Sequence, residues 1–154
     1  MTLGAVAQPS QSSIDSIGLN VTSLYNANYK EGRVYPTLAA GATVISGASD
    51  WVLGAFATVI PASTIGVEYH VSSVVIETCD KDAVFELVLY HGDSDTPIST
   101  VRFSVIGGYF GNTVYHLPSI KIPADDRIRA KLASSDGLAN QATIKISVVY
   151  RLIA

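Results

Sequence analysis

The feature that most constrains the fold is the strict alternation of apolar and polar residues in two stretches near the C-terminus. Residues 128–132 alternate apolar with basic side chains, and four apolar residues from Ile144 to Tyr150 share one side of an extended chain. Successive side chains of a β-strand point to opposite faces of the sheet, so each stretch predicts a strand with one buried face. Ser-Ser-Asp-Gly at 134–137 lies between them and predicts a turn.

We interpret these two strands as a pair with an apolar inner face and a cationic outer face, on which the other elements are built. The outer face carries half of the ten basic residues of the chain: Arg127, Arg129, Lys131, Lys145 and Arg151.

The composition indicates a single folded domain that associates with other subunits. The 154 residues are 48% hydrophobic and only 15% charged, against a charged share of about 25% in typical soluble domains. So low a charge density favours burial of some apolar surface by other subunits. The formal net charge of -3 is not that of a nucleic-acid-binding polycation. No apolar run approaches the roughly 18 residues of a membrane helix, and no cleaved leader is evident, so we predict neither a nucleic-acid nor a membrane partner.

The first 40 residues differ from the remainder. They are polar and rich in turn-forming residues, have no clear period, and carry three tyrosines, Tyr25, Tyr29 and Tyr35. We predict an extended N-terminal arm over 1–40 whose aromatic side chains cover a neighbouring subunit. An ordinary first strand pair folded onto the domain is the alternative.

From residue 41 to residue 154 short strands and turns follow one another. The apolar run from Trp51 to Ile60 predicts a strand buried on both faces, with Trp51 in the core. About eight strands without helical patterns predict an all-β, antiparallel β-sandwich or barrel and exclude βαβ units. Ile-Pro-Ala occurs at 60–62 and at 122–124, each placed at the start of a strand in this interpretation. This spacing suggests two related Greek-key halves, as in a jelly roll.

Residues that could carry chemistry are few. Nucleotide-binding and nucleophile-elbow motifs are absent, and the lone Cys79 provides neither a disulfide nor a zinc cluster. Glu68 and His70 share a strand face but lack the paired-histidine spacing of a metal site. Two pairs of aspartates, Asp80 with Asp82 and Asp93 with Asp95, could bind calcium, but aspartates in turns usually accept backbone amides. We therefore predict no catalytic, metal or cofactor site.

The charge distribution along the chain is asymmetric. Residues 68–95 are mainly acidic and residues 121–151 mainly basic. Opposite charges on adjacent strands can pair across a sheet. Alternatively, one acidic and one basic face would favour head-to-tail contacts around a ring. The predicted interface residues are Tyr25, Tyr29, Tyr35, Arg127, Arg129, Lys131 and Lys145.

The layout of several short stretches between residues 35 and 150 resembles that of small virion proteins of tailed bacteriophages. The stretches are Tyr35-Pro-Thr-Leu, Trp51-Val-Leu-Gly-Ala-Phe, Val59-Ile-Pro-Ala, the run from Ile122 to Gly137, and a final Val148-Val-Tyr strand. The resemblance implies a jelly-roll-like sandwich that decorates or cements the capsid, or lies in the neck or tail, as a trimer or larger ring. It implies a location in the virion, assembly in the host cytoplasm, capsid or neck and tail proteins as partners, and no catalytic residues.

Two other classes of function remain open at this point. A carbohydrate- or receptor-binding sandwich, such as a fibre tip or lectin-like module, would need exposed aromatic residues around a groove. An enzyme would need a pocket that gathers Glu68, His70 and His116. We predict a non-enzymatic structural protein.

Overall fold

The structure is a computed structural model of the chain and describes residues 32–37, 40–108, 113–138 and 140–153. The compact unit that contains them extends from Glu31 to Ile153. Tyr25 and Tyr29 lie outside the described residues, and so does most of the range predicted as an arm. Nothing in the part of the chain that the structure describes forms a helix that could cross a membrane.

The described residues form nine strands in two antiparallel sheets. In chain order they are β1 (Arg33–Tyr35), β2 (Ala42–Ile45), β3 (Ala57–Ile60), β4 (Tyr69–Cys79), β5 (Ala83–His91), β6 (Thr96–Val105), β7 (Thr113–Ile122), β8 (Ile128–Ser134) and β9 (Thr143–Leu152). The five-stranded sheet has the order β1-β9-β4-β7, with β2 also paired to β9, and the four-stranded sheet has the order β3-β8-β5-β6.

The pairing is that of a long hairpin rolled into a sandwich. Strand β5 pairs with β6, β4 with β7, β3 with β8 and β2 with β9, which is a nested set of antiparallel partners. Rolling this ribbon adds the β4–β9 and β5–β8 pairs and places successive partners alternately in the two sheets. This is the jelly-roll arrangement. The prediction of an all-β, jelly-roll-like sandwich is confirmed.

The core lies between the two sheets and follows the alternation of the sequence. Strand β8 buries Ile128, Ala130 and Leu132 completely, and Phe85 on β5 stacks on Phe103 of β6 with ring centroids 5.0 Å apart. The inner faces of β5 and β9 are equally buried: Leu87, Leu89, Ile144, Ile146 and Val148. Aliphatic and aromatic burial of this kind supplies most of the favourable free energy of folding.

The interpretation of β8 and β9 as one strand pair was wrong. The two strands belong to different sheets, because the chain crosses between the sheets after Ser134. Alternation determines which residues of a strand are buried, but it does not determine the neighbouring strand. The basic residues of β8 and those of β9, Lys145 and Arg151, therefore lie on opposite outer faces of the sandwich and do not form one cationic face.

The prediction of one buried strand from Trp51 to Ile60 was also wrong. Only β3 is a strand there, and Trp51 is 52% exposed with a left-handed φ of 60°. The irregular segment before β3 passes so close to β2 that a Cβ on Gly54 would lie 2.1 Å from the Ile45 carbonyl oxygen. Its backbone instead bonds to β8, where the Trp51 and Gly54 amides donate to carbonyl oxygens.

Strand β1 lies within the range that the sequence assigned to the arm. It pairs with β9 in the register Arg33 to Tyr150 and Tyr35 to Val148. Tyr35 is half-buried and packs against the core, so its ring contributes to the sandwich.

Strand β4 contains an irregularity in its pairing. Its register against both β7 and β9 shifts between Val71 and Ser73, which indicates a β-bulge. Val67 lies before the strand and is exposed, whereas Tyr69 is fully buried.

The two Ile-Pro-Ala stretches end strands rather than begin them, which corrects the expectation that proline stood at a strand start. Ile60 ends β3 and Ile122 ends β7, and the turns that follow contact each other. Ser63 donates its amide to the Asp125 carbonyl oxygen, and Asp125 donates to that of Ile65, both at 2.9 Å. Ser63 and Asp125 occupy the same place in the two turns and both have left-handed φ angles. This equivalence fits two related Greek-key halves.

Tyr69 is a buried titratable residue that is hydrogen-bonded to the turn after β7. Its ring is fully buried, and its hydroxyl donates to the Asp126 carbonyl oxygen at 2.9 Å. Burial raises the pKa of Tyr69, and the Asp126 carboxylate and Tyr150 raise it further. The unfolded chain therefore releases the Tyr69 proton at a lower pH than the folded protein does.

We expect this pKa difference to make the protein less stable at high pH. The contribution of Tyr69 to the free energy of unfolding is constant below a pH of about 10. It falls as the pH rises above that value, because the unfolded state then binds fewer protons than the folded state. Tyr69→Phe should lower stability at neutral pH by about 1 kcal/mol through the lost hydrogen bond and should flatten the decline above pH 10. Denaturant unfolding of both proteins between pH 7 and pH 11 measures this, and equal slopes would contradict it.

Candidate functional site

Four connections between strands meet at one end of the sandwich, which we name the four-loop end. They are residues 46–56 between β2 and β3, 80–82 between β4 and β5, the described part of the β6–β7 connection at 106–108, and the described residues of 135–142 between β8 and β9. They meet because each joins one sheet to the other at the same end of the nested hairpin. The remaining connections of the nested hairpin lie at the opposite end.

Side chains on these loops bond them into a row. The Asp50 carboxylate accepts the Leu138 amide at 3.1 Å, which links the β2–β3 and β8–β9 connections. Lys81 links β8–β9 to β4–β5: its Nζ donates to the carbonyl oxygens of Asp136 and Asn140 and lies 3.0 Å from the Asp136 carboxylate. Because all three acceptor atoms lie on the β8–β9 connection, Lys81 ties that loop to the β4–β5 connection.

Asp82 completes the row by linking the β4–β5 and β6–β7 connections. Its carboxylate accepts the amides of Gly107 at 2.7 Å and Gly108 at 2.9 Å. Both glycines have left-handed φ angles, which glycine adopts without steric cost. Asp80 similarly accepts the Thr143 amide at 2.8 Å. One candidate calcium pair, Asp80 with Asp82, therefore uses its carboxylates on backbone amides, as the turn interpretation predicted.

Backbone packing adds to this cohesion. Gly137 lies against the β2–β3 connection so closely that a Cβ would be 2.4 Å from the Ser49 carbonyl oxygen. Val84 and Ser135 exchange two hydrogen bonds, amide to carbonyl at 2.8 Å and amide to hydroxyl at 3.0 Å. The four-loop end thus has a defined shape and a backbone that is largely bonded internally.

Apolar side chains nevertheless project into solvent from this end. Ile106 is 81% exposed and Leu138 is 75% exposed, while Trp51, Val52 and Val84 are each between 42% and 52% exposed. Exposed apolar clusters rimmed by polar residues are typical of protein-binding surfaces. The sequence analysis missed this cluster and placed Trp51 in the core. The available signal was the turn-forming Gly47-Ala-Ser-Asp that precedes Trp51.

A shallow recess lies beside these side chains. Its volume is about 280 Å³, and its walls are mostly apolar, formed by Asp82, Ala83, Val84, Ser104, Val105, Ile106 and Ser135. Most of these residues belong to the start of β5 and the end of β6, and Ser135 belongs to the β8–β9 connection.

Two predicted basic interface residues, Arg127 just before β8 and Arg129 on β8, lie elsewhere and have partners within the chain. Arg127 lies 3.6 Å from the Asp93 carboxylate at the opposite end of the sandwich, and Arg129 donates from Nε to Asp95 at 2.8 Å. Cations therefore pair with the Asp93 and Asp95 carboxylates of the second candidate calcium loop. The described residues contain no group of three or more histidine, cysteine, aspartate or glutamate side chains that could hold a metal ion.

Two of the predicted interface residues contact the Phe56 ring on the outer face of the four-stranded sheet. The Arg129 guanidinium carbon lies 4.1 Å and the Lys131 Nζ 4.2 Å from its ring centroid, as in cation–π contacts. Tyr90 meets the same ring edge-on at 5.2 Å. Lys145 lies on the other sheet, opposite Thr43 and Thr78. The described members of the predicted interface set thus do not form one surface.

The residues considered for an enzyme site each have a separate partner. Glu68 pairs with Lys121 at 2.7 Å. His70 Nδ1 lies 3.1 Å from the Ser119 hydroxyl, and His116 Nδ1 lies 3.0 Å from that of Ser73. Together with the Arg127–Asp93 and Arg129–Asp95 pairs, the Glu68–Lys121 pair shows that several acidic residues of 68–95 pair with basic residues of 121–151 within the chain, which favours internal pairing over head-to-tail charge contacts.

Comparison with known proteins gives weak structural matches only. No protein-family model and no curated protein matches the sequence. Among solved structures, the chain resembles the VP2 subviral particle of infectious bursal disease virus with 15% identity and a TM-score of 0.39, covering 79% of this chain and 32% of VP2.

Two further matches come from the same virus. The structure of its Gx strain matches with 15% identity, a TM-score of 0.36 and coverage of 81% of this chain and 34% of that one. The T13 viral particle matches with 19% identity, a TM-score of 0.32 and coverage of 77% and 30%. The chain thus spans about a third of the length of these virus-particle proteins, and its jelly-roll assignment comes from its own strand pairing.

Proposed function

We propose that this chain is a non-enzymatic structural protein of a virion, which binds the capsid or neighbouring subunits as a decoration or cement protein of a tailed bacteriophage. The observation that carries the proposal is the four-loop end. It presents exposed Trp51, Ile106 and Leu138 on loops whose polar groups bond to one another. Such a surface loses little hydrogen bonding when another protein covers it, and it gains from apolar burial.

The fold and the sequence layout support the same proposal. Jelly rolls occur in viral capsid proteins and in lectins. The layout between residues 35 and 150 resembles small phage virion proteins. A homo-oligomer, as a trimer or larger ring, would present several contact surfaces at once, and multivalent attachment to a symmetric lattice turns weak contacts into strong binding.

Mass spectrometry of gradient-purified particles from the source culture tests virion membership. We expect the chain at a fixed stoichiometry relative to the major shell protein through successive gradients. If successive gradients remove the chain to the same extent as soluble contaminants, the proposal is wrong.

The N-terminal residues provide a second contact in this proposal. Residues 1–30 precede the compact unit, and we propose that they form an arm whose Tyr25 and Tyr29 rings cover a neighbouring subunit. We expect deletion of residues 1–30 to leave the melting temperature within about 2 °C of the full chain, because β1 and its pairing with β9 are retained. Co-sedimentation with purified particles should weaken at least about tenfold.

The end point of this deletion matters. Removal of residues 1–35 would also remove β1. That longer deletion is the matched control, because it shows the effect of losing the edge strand in addition to residues 1–30. Unfolding of the protein that lacks only residues 1–30, or its undiminished co-sedimentation, would contradict the arm.

Exposure of Trp51 favours a second candidate, a carbohydrate-binding sandwich. An indole face can stack on a sugar ring, whereas cations already occupy the surroundings of the Phe56 ring. A glycan array probed with the full chain and with Trp51→Asn distinguishes the two functions. Binding of a defined glycan by the first protein and not by the second would favour the carbohydrate-binding candidate.

A further inference from the structure

The two sides of the sandwich differ in how the sheets end. On one side, where β2 and β3 lie, the β2–β3 connection bonds to the other sheet: Ser46 forms a bridge with Leu132, and the Gly54 amide donates to the Leu132 carbonyl oxygen at 2.9 Å. On the other side the sheets end in β7 and β6, each ten residues long. Within the described residues, β7 pairs only with β4 and β6 only with β5. We name this the open side.

The first half of β7 is the part of the open side best suited to an added strand. An edge strand presents backbone donors and acceptors to an extended chain, and natural edges resist this with proline and lysine. Pro97 lies in β6, and Pro118 and Lys121 lie in the second half of β7, whereas residues 114–117 contain neither residue type. Val114 is 50% exposed. A covering strand would therefore bury apolar surface as well as backbone.

The inner face of this half-strand is aromatic. Tyr115 is half-buried and packs against the core, and its ring centroid lies 5.9 Å from that of Phe103 on β6. Aromatic side chains from an added strand could extend this cluster across the open side.

The sequence before β1 contains a segment of matching character. Residues 25–30 alternate tyrosine or alanine with asparagine or lysine: Tyr25, Asn26, Ala27, Asn28, Tyr29 and Lys30. The stretch 19–31 contains no glycine and no proline. This alternation is shorter than those of β8 and β9, but it is the pattern of a strand with one buried face.

Chain connectivity excludes pairing of this segment with β7 of its own copy. Strand β1 begins at Arg33, on the edge of the five-stranded sheet opposite β7. A strand added beside β7 would lie four strand spacings from β1, about 19 Å at about 4.8 Å each. Tyr29 is four residues from Arg33, and four residues span at most about 14 Å. The segment can therefore reach a β7 edge only in another copy.

From these constraints we propose that residues 25–29 of one copy add as a strand to residues 114–117 of β7 in a neighbouring copy, with Tyr25 and Tyr29 directed toward Tyr115. The inference deepens the proposed function and rests on it, because it names the surface that the arm binds. Each copy would give a strand on the side of β1 and accept one on the open side. Such head-to-tail contacts close into a ring, in agreement with the proposed trimer or larger ring.

Disulfide trapping between two full-length proteins tests the proposal. Both carry Cys79→Ala to remove the native thiol; one also carries Asn28→Cys and the other, with a tag of different mass, Val114→Cys. Asn26→Cys is used in parallel, because a disulfide forms only at a Cβ separation of about 3.5–4.5 Å and the register is set by the contact. Thr58→Cys replaces Val114→Cys as the matched control, since Thr58 is also an exposed strand residue and lies on β3, away from the open side.

We expect a disulfide-linked pair of one copy of each protein, at least about tenfold more abundant with Val114→Cys than with Thr58→Cys. Asn26→Pro with Ala27→Pro, added to the Asn28→Cys protein, should reduce this pair at least about tenfold. Adjacent amides of a strand point to opposite sides, so one of the two prolines removes a donor to β7. Ala5→Pro with Val6→Pro is the control and should have no effect.

Three results would overturn the inference: no linked pair from either arm position, equal linkage to Thr58→Cys, or linkage that the prolines at 26 and 27 leave undiminished. A chain carrying both Asn28→Cys and Val114→Cys should form linked multimers, and an internal disulfide in a monomer would equally overturn it. Virion membership is measured separately by mass spectrometry. Absence of the chain from particles together with the linked pair would overturn the proposed function and leave the strand contact in place.

Discussion

Gly54→Ala is expected to destabilise the protein by about 3 kcal/mol and to lower its melting temperature by roughly 6–12 °C. The added Cβ would lie 2.1 Å from the Ile45 carbonyl oxygen and 2.9 Å from the Ser46 carbonyl carbon. Both atoms belong to the backbone, so no side chain can rotate to make room. The segment before β3 must then move away from β2, and its bond from the Gly54 amide to the Leu132 carbonyl oxygen is lost or weakened.

The matched control is Gly66→Ala. A Cβ on Gly66 would meet no atom within 4 Å, so this change should alter stability by no more than about 0.5–1 kcal/mol, with stabilisation the favoured direction. Differential scanning calorimetry of both variants measures the contrast. Equal melting temperatures for the two would contradict the close approach of the β2–β3 connection to β2.

Lys81→Met is the second change with a large expected effect, a loss of about 2 kcal/mol of stability. The Lys81 side chain is only 18% exposed and serves three acceptors on the β8–β9 connection, two of them carbonyl oxygens. Methionine retains the apolar stem but leaves those acceptors without their charged donor, and hydrogen bonds to charged groups contribute about 1.5–3 kcal/mol.

The control for Lys81→Met is Lys121→Met, which breaks the Lys121–Glu68 pair. Both side chains of that pair are about half exposed, and exposed pairs contribute only about 0–1 kcal/mol and are screened by salt. We therefore expect little change in denaturant unfolding for Lys121→Met. An equal effect of the two substitutions would show that Lys81 does not connect the loops as described.

The sequence predicted the buried faces of the strands well, because alternation is a local property of the backbone. Ile128 and Leu132 on β8 and Ile144, Ile146 and Val148 on β9 are buried as their spacing indicates. The Pro-containing stretches at 60–62 and 122–124 end strands rather than begin them, and the suggestion of two related halves stays a prediction.

Sheet membership could not be predicted in the same way. Strands β8 and β9 follow each other in sequence and share one pattern, yet they lie in different sheets. Their partners β5 and β4 are distant along the chain, and the choice between pairing with each other and pairing with those strands depends on the whole rolled hairpin. The burial of Trp51 could not be predicted either, because the apolar run that follows it in sequence has the composition of a buried strand.

The candidate site was the least predictable part. Trp51, Ile106 and Leu138 come from three different connections and Val84 from the start of β5, and only the jelly-roll topology brings them to one end. The sequence indicated that apolar surface should be covered by other subunits, but its predicted contact residues were the conspicuous charges. The structure pairs Arg127 and Arg129 with Asp93 and Asp95 instead.

Cryo-electron microscopy of purified particles that carry this protein tests the central claim most directly. The account predicts jelly-roll density in which another subunit of the particle covers Trp51, Ile106 and Leu138 at the four-loop end. Density in which every copy leaves its four-loop end in solvent and contacts its neighbours elsewhere would contradict the account.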